Sequence, residues 1–471
     1  MRPVYSVAAV RAAEQRLMQT LPEGALMQRA AVGLARRCAL SLNPVYGSRV
    51  LLLIGAGDNG GDALYAGALL AKRGVQVSAL LTGRAHEDGL RAFRAAGGRV
   101  VPSFPKHVDL IVDGLVGIGA IGPLRENMAA LLQQLPPAPV ISVDVPSGVD
   151  VDTGDVPGAA VKADITVTFG ALKPALVTGA AAEFAGQVEL VDIGLEFNAP
   201  PVLRIADAAD IAAWWPVPGS TSDKYTRGVV GLATGSYGYP GAALMSVMGA
   251  LAGPAGLVRY AGSSYELVSA HHPSVVVAPR VADAERVQAW VCGCGLGTDD
   301  TSQAELRSVI ASPVPAVLDA DAITMLVDGS LSGHLRRRDA PTILTPHDRE
   351  YARLAGEAPG ADRPAAALKL AAWTNSVVVL KGHRTVVASP RGEAWVNPTG
   401  HASLATGGTG DVLAGLMGSL LAAGISPVRA AVMACYVHGQ AGHLAALSGP
   451  ATAVDVAEAL RPTLAELLDD F

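Results

Sequence analysis

Two α/β domains, each built on a parallel sheet, are what this sequence predicts, and three observations predict them. Short β-branched runs alternate with Ala- and Leu-rich stretches of helical periodicity along the whole chain. The alternation falls into two series, separated by a Pro-rich stretch over residues 198–218. Each series carries a glycine-rich loop beside a strand-like run, the arrangement in which α/β folds hold anions and nucleotides. At 471 residues, half of them apolar, the chain is long enough for two or three domains with ample cores. The expected division is 1–210 and 211–471.

In the first series the strand-like runs are residues 50–54, 75–80, 109–112, 140–143 and 164–168, with helical stretches over 63–73 and 125–135. In the second they are 229–233, 275–277, 317–319, 343–345 and 377–380. No short-period repeat or low-complexity tail interrupts them. A formal charge of −6, with no basic block or aromatic-interleaved Arg/Lys stripe, argues against nucleic acid as a partner. The first residues have helical periodicity and include Glu14, unlike a signal peptide, and no apolar run is long enough to span a bilayer. Cys38, Cys292, Cys294 and Cys435 form no CxxC pair, so they are expected to be buried free thiols in a reducing cytoplasm. His438 and His443, on a late helical stretch, are read as packing residues.

The most informative stretch lies near the C-terminus. Asn397-Pro398-Thr399-Gly400 precedes Gly407-Gly408-Thr409-Gly410-Asp411 and an apolar run. Glycines free backbone N–H groups to face an anion, and the helix that follows adds partial positive charge. Asp411 is a carboxylate beside an anion site, which makes electrostatic sense if it takes a proton from a group attacking the phosphate. No Gly-Lys-Ser/Thr follows, so this is not a Walker loop, and another basic group must help. Lys381, in Lys381-Gly382-His383-Arg384-Thr385, follows the run 377–380 and sits at a strand's carboxyl end, where α/β folds bind ligands.

The first domain has its own loop, Gly55-Ala56-Gly57-Asp58-Asn59-Gly60-Gly61-Asp62. It satisfies G-x-G-x-x-G, yet two loop carboxylates would repel a pyrophosphate and suit a cation or sugar hydroxyls better. Asp113 and Asp144 follow the runs 109–112 and 140–143, each before a Gly- or Pro-containing turn. In a parallel sheet such ends converge with residues 55–62 on one crevice.

Together these residues resemble the NAD(P)H-hydrate repair family. The first domain is similar to the epimerase, with its G-x-G-N-N-G-G-D loop and V-D-[IV]-P-S-G motif. The second is similar to the dehydratase, through Thr345-Pro346-His347, Lys381 to Thr385 and the Asn397 to Gly415 segment. The resemblance implies an N-terminal Rossmann-like three-layer αβα domain and a C-terminal ribokinase-like αβα domain. It implies epimerisation of the R and S hydrates of NADH and NADPH, then dehydration of the S hydrate using ADP, the donor expected of bacterial members, with release of AMP and phosphate and with Mg2+ and K+. For the epimerase it implies hydrate binding by Asp58, Asn59, Gly60, Gly61, Asp62, Gly117, Ile118, Gly119, Ala120, Ile121, Gly122, Pro123 and Asp144. Asn59, Asp113 and Ser147 match potassium ligands, and Asp144 is the acid/base candidate. For the dehydratase it implies hydrate binding by Gly297, His347 and Asp411. Nucleotide binding falls to Lys381, Gly382, His383, Arg384, Thr385, Gly408 and Gly410. Asp411 is the base through which the ring hydroxyl attacks the terminal phosphate, making a leaving group that hydroxide is not.

This chain departs from the pattern at Asp58, where Asn is usual, at Ala63, and at Gly400-His401-Ala402-Ser403-Leu404-Ala405-Thr406. A competing reading is a ribokinase-like kinase of a vitamin precursor with a non-catalytic NAD(P)-binding first domain; the fused epimerase-like half argues against it. A homo-oligomer without membrane partners is expected.

Overall fold

The computed structural model describes residues 1–327 and 329–469. The chain divides into two compact units, Pro3–Leu203 and Arg204–Phe471, the latter joined by Met1–Arg2. Among the described residues no helix is long and apolar enough to cross a membrane.

The N-terminal unit is built on a seven-stranded parallel sheet. Its spatial order is Arg99–Val101, Gln76–Leu81, Arg49–Ile54, Leu110–Gly114, Val140–Val143, Ile165–Phe169, Gln187–Val191. The chain builds outward from Arg49–Ile54 in one direction and then returns to pair Leu110–Gly114 on its other side. The carboxyl ends of these two strands therefore flank a topological switch point, where such sheets bind ligands. Leu52 and Ile54 face one apolar layer and Leu51 and Leu53 the other. That double burial explains why the strand reads as an unbroken apolar run.

The sequence reading places Asp58 and Asp62 inside a loop; the structure instead puts them in the helix Asp58–Lys72. Gly57 is extended and is the last non-helical residue, and an acidic residue in the first turn suits the helix's positive end. The short connection needs its glycines. A Cβ at Gly55 would lie 1.7 Å from the Leu115 carbonyl oxygen, and one at Gly60 2.3 Å from that of Gly55.

In the C-terminal unit the parallel strands run in the order Val276–Ala278, Leu257–Ala261, Val229–Ala233, Ala289–Cys292, Ala316–Leu318, Thr342–Leu344, Val377–Leu380. Val386–Ala388 and Ala394–Val396 then extend the sheet antiparallel. The sequence reading marked neither of these, nor Leu257–Ala261 and Ala289–Cys292; runs this short, such as Leu257-Val258-Arg259-Tyr260-Ala261, show no period of their own. Helices Pro240–Ala252 and Thr409–Ala422 pack backbone against backbone. A Cβ at Gly249 would meet the Val412 carbonyl oxygen at 2.1 Å, and one at Gly415 that of Ser246 at 2.0 Å.

Gly415→Ala is accordingly expected to destabilise the C-terminal unit by about 1–3 kcal/mol, the usual cost of overpacking, despite alanine's better helix propensity. Chemical denaturation of the full chain measures it; an unchanged or raised midpoint for that unit's transition would contradict the close approach.

Candidate functional site

At the carboxyl edge of the N-terminal sheet lies a cleft of about 790 Å3. Helix Val7–Met18 contributes Arg11 and Glu14 to it, helix Asp58–Lys72 contributes Asp58, Asn59 and Asp62, and residues 117–123 form one lip. Asp144 and Phe169 close the floor. Gly60 and Gly61 do not line this cleft. Gly60 makes room for the Gly55 carbonyl, and Gly61 lies under Met27 and His86, about 3 Å from where a Cβ would sit.

Asp113 and Ser147 lie behind the wall, fully buried. Asp113 accepts hydrogen bonds from the Ser147 hydroxyl (2.6 Å), the Ser147 N–H (2.9 Å), the Ser142 hydroxyl (2.8 Å) and the Leu115 N–H (3.3 Å). Burial pushes its carboxyl above the ordinary range, against the pull of those donors. The Asn59 amide donates to the carbonyls of Val116 and Val143. The three sequence-predicted cation ligands are thus joined by one network that passes through Val116, whose N–H donates to the Ser147 hydroxyl.

Asp144 has φ of +67°, a conformation costly for a residue with a Cβ and tolerated where the surroundings enforce it. Its Oδ1 accepts from the Thr168 hydroxyl (3.0 Å), the Phe169 N–H (3.2 Å) and the ammonium of Lys173. Lys173 is 1% exposed and donates also to Thr168 Oγ1 (2.8 Å) and the Phe169 carbonyl (3.0 Å), which uses its three protons. Glu14, Asp58 and Asp62 crowd the same space. Burial first, then the charges of Asp144, Asp58 and Glu14, push the Asp62 carboxyl well above its usual range. Glu14 is raised as well, by burial and then by Asp144.

In the C-terminal unit Asp411 stands in the first turn of helix Thr409–Ala422, whose cap, Gly408, is left-handed with φ of +93°. The first-turn N–H groups have no acceptor within the helix and face the loop. Beneath them Lys381 donates to Asp319 Oδ1 at 2.7 Å, and Thr345 donates to the same oxygen at 2.6 Å. The Cys294 thiol lies 3.7 Å from Asp319 Oδ2, and ligand atoms of Cys294, Asp319 and Asp411 fall within 4.8 Å of one another. Burial, then the charge of Asp319, pushes the Asp411 carboxyl up to about 7, against the pull of Lys381 and the thiol. Burial draws Lys381 down, but Asp319 and Glu350 more than offset it, so its ammonium is raised and stays charged.

A cavity of about 500 Å3 adjoins this group, lined by His347, Lys381, Gly382, His383, Thr385 and Gly410 together with Gly400–Thr406 residues and His438. Arg384 does not line it; its guanidinium donates to the Pro398 carbonyl at 3.1 Å and so braces the opposite lip. His347 caps helix Asp348–Ala355, its Nδ1 accepting from the N–H groups of Arg349 and Glu350. Gly297 donates its N–H to Asp321 at 2.8 Å, and Asp321 in turn adds to the negative field on Asp411.

Sequence reasoning missed Lys173, Asp319 and Glu14, and read His438 only as packing. Asp319 carried the same signal as Asp113 and Asp144, an aspartate just after a strand. Lys173 had none, being four residues beyond its strand in a turn. His438 is buried, which holds its imidazole down to about 4 and neutral. The four cysteines are buried and unpaired, as expected.

Removing one member of a buried pair leaves the other charge uncompensated. Lys173→Met is therefore expected to destabilise the N-terminal unit by about 3–5 kcal/mol at neutral pH. Adding Asp144→Asn is expected to recover much of this, measured as a double-mutant cycle by denaturant unfolding; additive losses would mean the pair is not coupled.

Residues 230–461 match a family described as NAD(P)H-hydrate dehydratase, and residues 23–175 match the family of the YjeF-related protein N-terminus. The bifunctional NAD(P)H-hydrate repair enzyme Nnr of Mycobacterium leprae is 48% identical over 454 residues, covering 95% of this chain and 94% of its own. The enzyme of that name from Escherichia coli K12 is 34% identical over 420 residues, covering 84% and 80%. Among solved structures, the ADP/ATP-dependent NAD(P)H-hydrate dehydratase of Bacillus subtilis, co-crystallised with ATP and Mg2+, is 28% identical with a TM-score of 0.51. It covers 56% of this chain and 99% of its own. A ribokinase-like superfamily protein of Enterococcus faecalis is 27% identical with a TM-score of 0.52, covering 58% and 98%. The chain belongs to the family of bifunctional NAD(P)H-hydrate repair enzymes.

Proposed function

We infer that this chain repairs hydrated nicotinamide cofactors. The N-terminal domain, expected over 1–210, interconverts the R and S hydrates of NADH and NADPH. The C-terminal domain, expected over 211–471, dehydrates the S hydrate with ADP as phosphate donor, releasing AMP and phosphate. The observation that carries the second assignment is the position of Asp411 beside a helix N-terminus and a charged lysine, where burial and Asp319 push its carboxyl up to about 7. A carboxylate with that affinity for protons is matched to taking one from a ring hydroxyl at neutral pH.

In this reading the diphosphate occupies the cavity by Lys381–Thr385 and the amides of Gly408 and Gly410, with the hydrate facing Asp411 from the side of Gly297 and His347. Asp411 takes the hydroxyl proton as the oxygen attacks the terminal phosphorus and AMP leaves. The amides and Lys381 balance the charge that develops on the phosphoryl oxygens. The C–O bond of the new ester then breaks, phosphate departs, and loss of a ring proton restores the dihydropyridine. Asp319 serves by keeping Lys381 in place and charged.

Cys294, Asp319 and Asp411 are a poor cage for Mg2+, because one ligand is a thiol and Asp319 is already engaged by Lys381 and Thr345. No step is assigned to that ion. The set of Asn59, Asp113 and Ser147 fits K+ better. It is all oxygen apart from the amide nitrogen, carries one negative charge, and has the Val116 and Val143 carbonyls beside it. Bound there, K+ would tie the strand ends to the Asn59 helix and relieve the burial of Asp113.

The test is recovery of near-UV absorbance of reduced nicotinamide from mixed hydrates, with ADP and ATP supplied separately. Full recovery faster than spontaneous epimerisation is the expected result; no recovery with either nucleotide would leave the small-molecule kinase as the better reading. Because Asp411 must be ionised, the dehydration rate is expected to rise with pH through about 7. Asp411→Asn is expected to lower it by about 10^2–10^4-fold and abolish that rise while retaining nucleotide binding. A variant with most of its rate would refute the base assignment.

A further inference from the structure

We propose that Asp62 is the proton donor that works against Asp144 in the N-terminal cleft, the two carboxyl groups acting as an acid–base pair on opposite sides of one ring bond. The proposal rests on the epimerase reading given above and goes beyond it by assigning the second proton. Its basis is an asymmetry in hydrogen bonding.

All three protein donors to Asp144 fall on Oδ1, from Lys173, Thr168 and the Phe169 N–H. Oδ2 takes none among the described residues, and it is not sealed from the cleft. Asp144 thus has one oxygen fixed by the buried Lys173 and two further donors, and the other open to accept a proton. Asp62 has the opposite environment. It is 7% exposed, lines the same cleft, and neither oxygen takes a hydrogen bond from any described residue. Its acidic neighbours there are Asp144, Asp58 and Glu14; Arg11 and Arg125 also line the cleft, and the nearby Lys173 is fully committed. A buried carboxyl with acidic neighbours and no donor holds its proton; one with a single oxygen anchored and the other open is placed to accept a proton. Two such groups facing one cleft divide naturally into acid and base.

The chemistry they fit follows from the substrate class. In a hydrated dihydropyridine the hydroxyl-bearing carbon is also bonded to the ring nitrogen, so it is a hemiaminal. Asp144 Oδ2 takes the hydroxyl proton, the O–H pair becomes the second C=O bond, and the carbon–nitrogen bond breaks with its electron pair passing to nitrogen. Asp62 delivers its proton to that nitrogen. The products are an open-chain aldehyde and an enamine N–H, with Asp144 now neutral and Asp62 ionised. Rotation of the aldehyde presents its other face. Nitrogen then adds back to the carbonyl carbon, Asp62 recovers its proton and Asp144 returns one to oxygen. Atoms and charge balance, and no oxidant or reductant is required.

The experiment uses the full chain without nucleotide, so that dehydration is idle, and follows chromatographic conversion of purified R hydrate into S. Asp62→Asn, which keeps shape but holds no transferable acid proton, is expected to lower the rate by about 10^2–10^4-fold while hydrate binding by calorimetry changes by less than about 3-fold. The wild-type rate is expected to fall at high pH, where Asp62 is ionised. Asp62→Asn is expected to lose the alkaline fall, and Asp62→Glu to restore part of the rate together with that limb. Retention of the wild-type rate by Asp62→Asn, or loss of rate with the alkaline fall intact, would overturn the assignment while leaving the epimerase reading standing. A wild-type chain that converts no hydrate would overturn both.

Discussion

In each unit, one lysine holds one aspartate at the carboxyl edge of a parallel sheet, and the rest of each site is arranged around that pair. Lys173 holds Asp144 and Lys381 holds Asp319. Parallel topology makes this possible. Every strand ends on the same edge, so aspartates that follow separate strands are delivered to one crevice without long loops. The cost is mutual repulsion in a medium that screens poorly. One ammonium offsets one carboxylate, and the remaining acids must either keep their protons or take up a ligand. Asp62 and Asp411 are these surplus acids, and each has its carboxyl raised by burial and by a neighbouring aspartate.

The same principle separates the two sites chemically. In the C-terminal unit the surplus acid stands at a helix N-terminus with open amides, an arrangement that suits an anion next to a carboxyl. In the N-terminal unit the helix end itself carries Asp58, and the crevice holds more acids than bases, so it favours hydroxyls, a ring nitrogen or a cation. Glycine serves both sites by bringing backbone close. A side chain at Gly400 would fall 1.9 Å from the His383 carbonyl oxygen, and one at Gly117 2.1 Å from the Asn59 amide oxygen.

Much of this was legible in the sequence because strand-end aspartates and glycine loops are local signals. Asp113, Asp144 and Asp411 each stand beside a run whose periodicity names the element, and the structure places them at the expected ends. What escaped was non-local or too short to show a period. Lys173 reaches Asp144 from 29 residues away through a turn, and nothing in its own neighbours marks it as buried. The strands Val386–Ala388 and Ala394–Val396 are three residues each and gain their identity from pairing with Val377–Leu380 and with each other. The helix start at Asp58 was hidden by glycines that read as loop, although two of them are there to let the helix seat against the strand end.

The glycine contacts between helices Pro240–Ala252 and Thr409–Ala422 carry a mechanical consequence. Where main chain rests on main chain, no rotamer can turn to let one helix slide along the other. The helix that presents Asp411 is therefore mounted on a bearing with no play. The spacing between Asp411 and the strand-end lysine is set by backbone rather than by rotamers. Side chains on the lip over residues 401–406 can then differ without shifting that spacing.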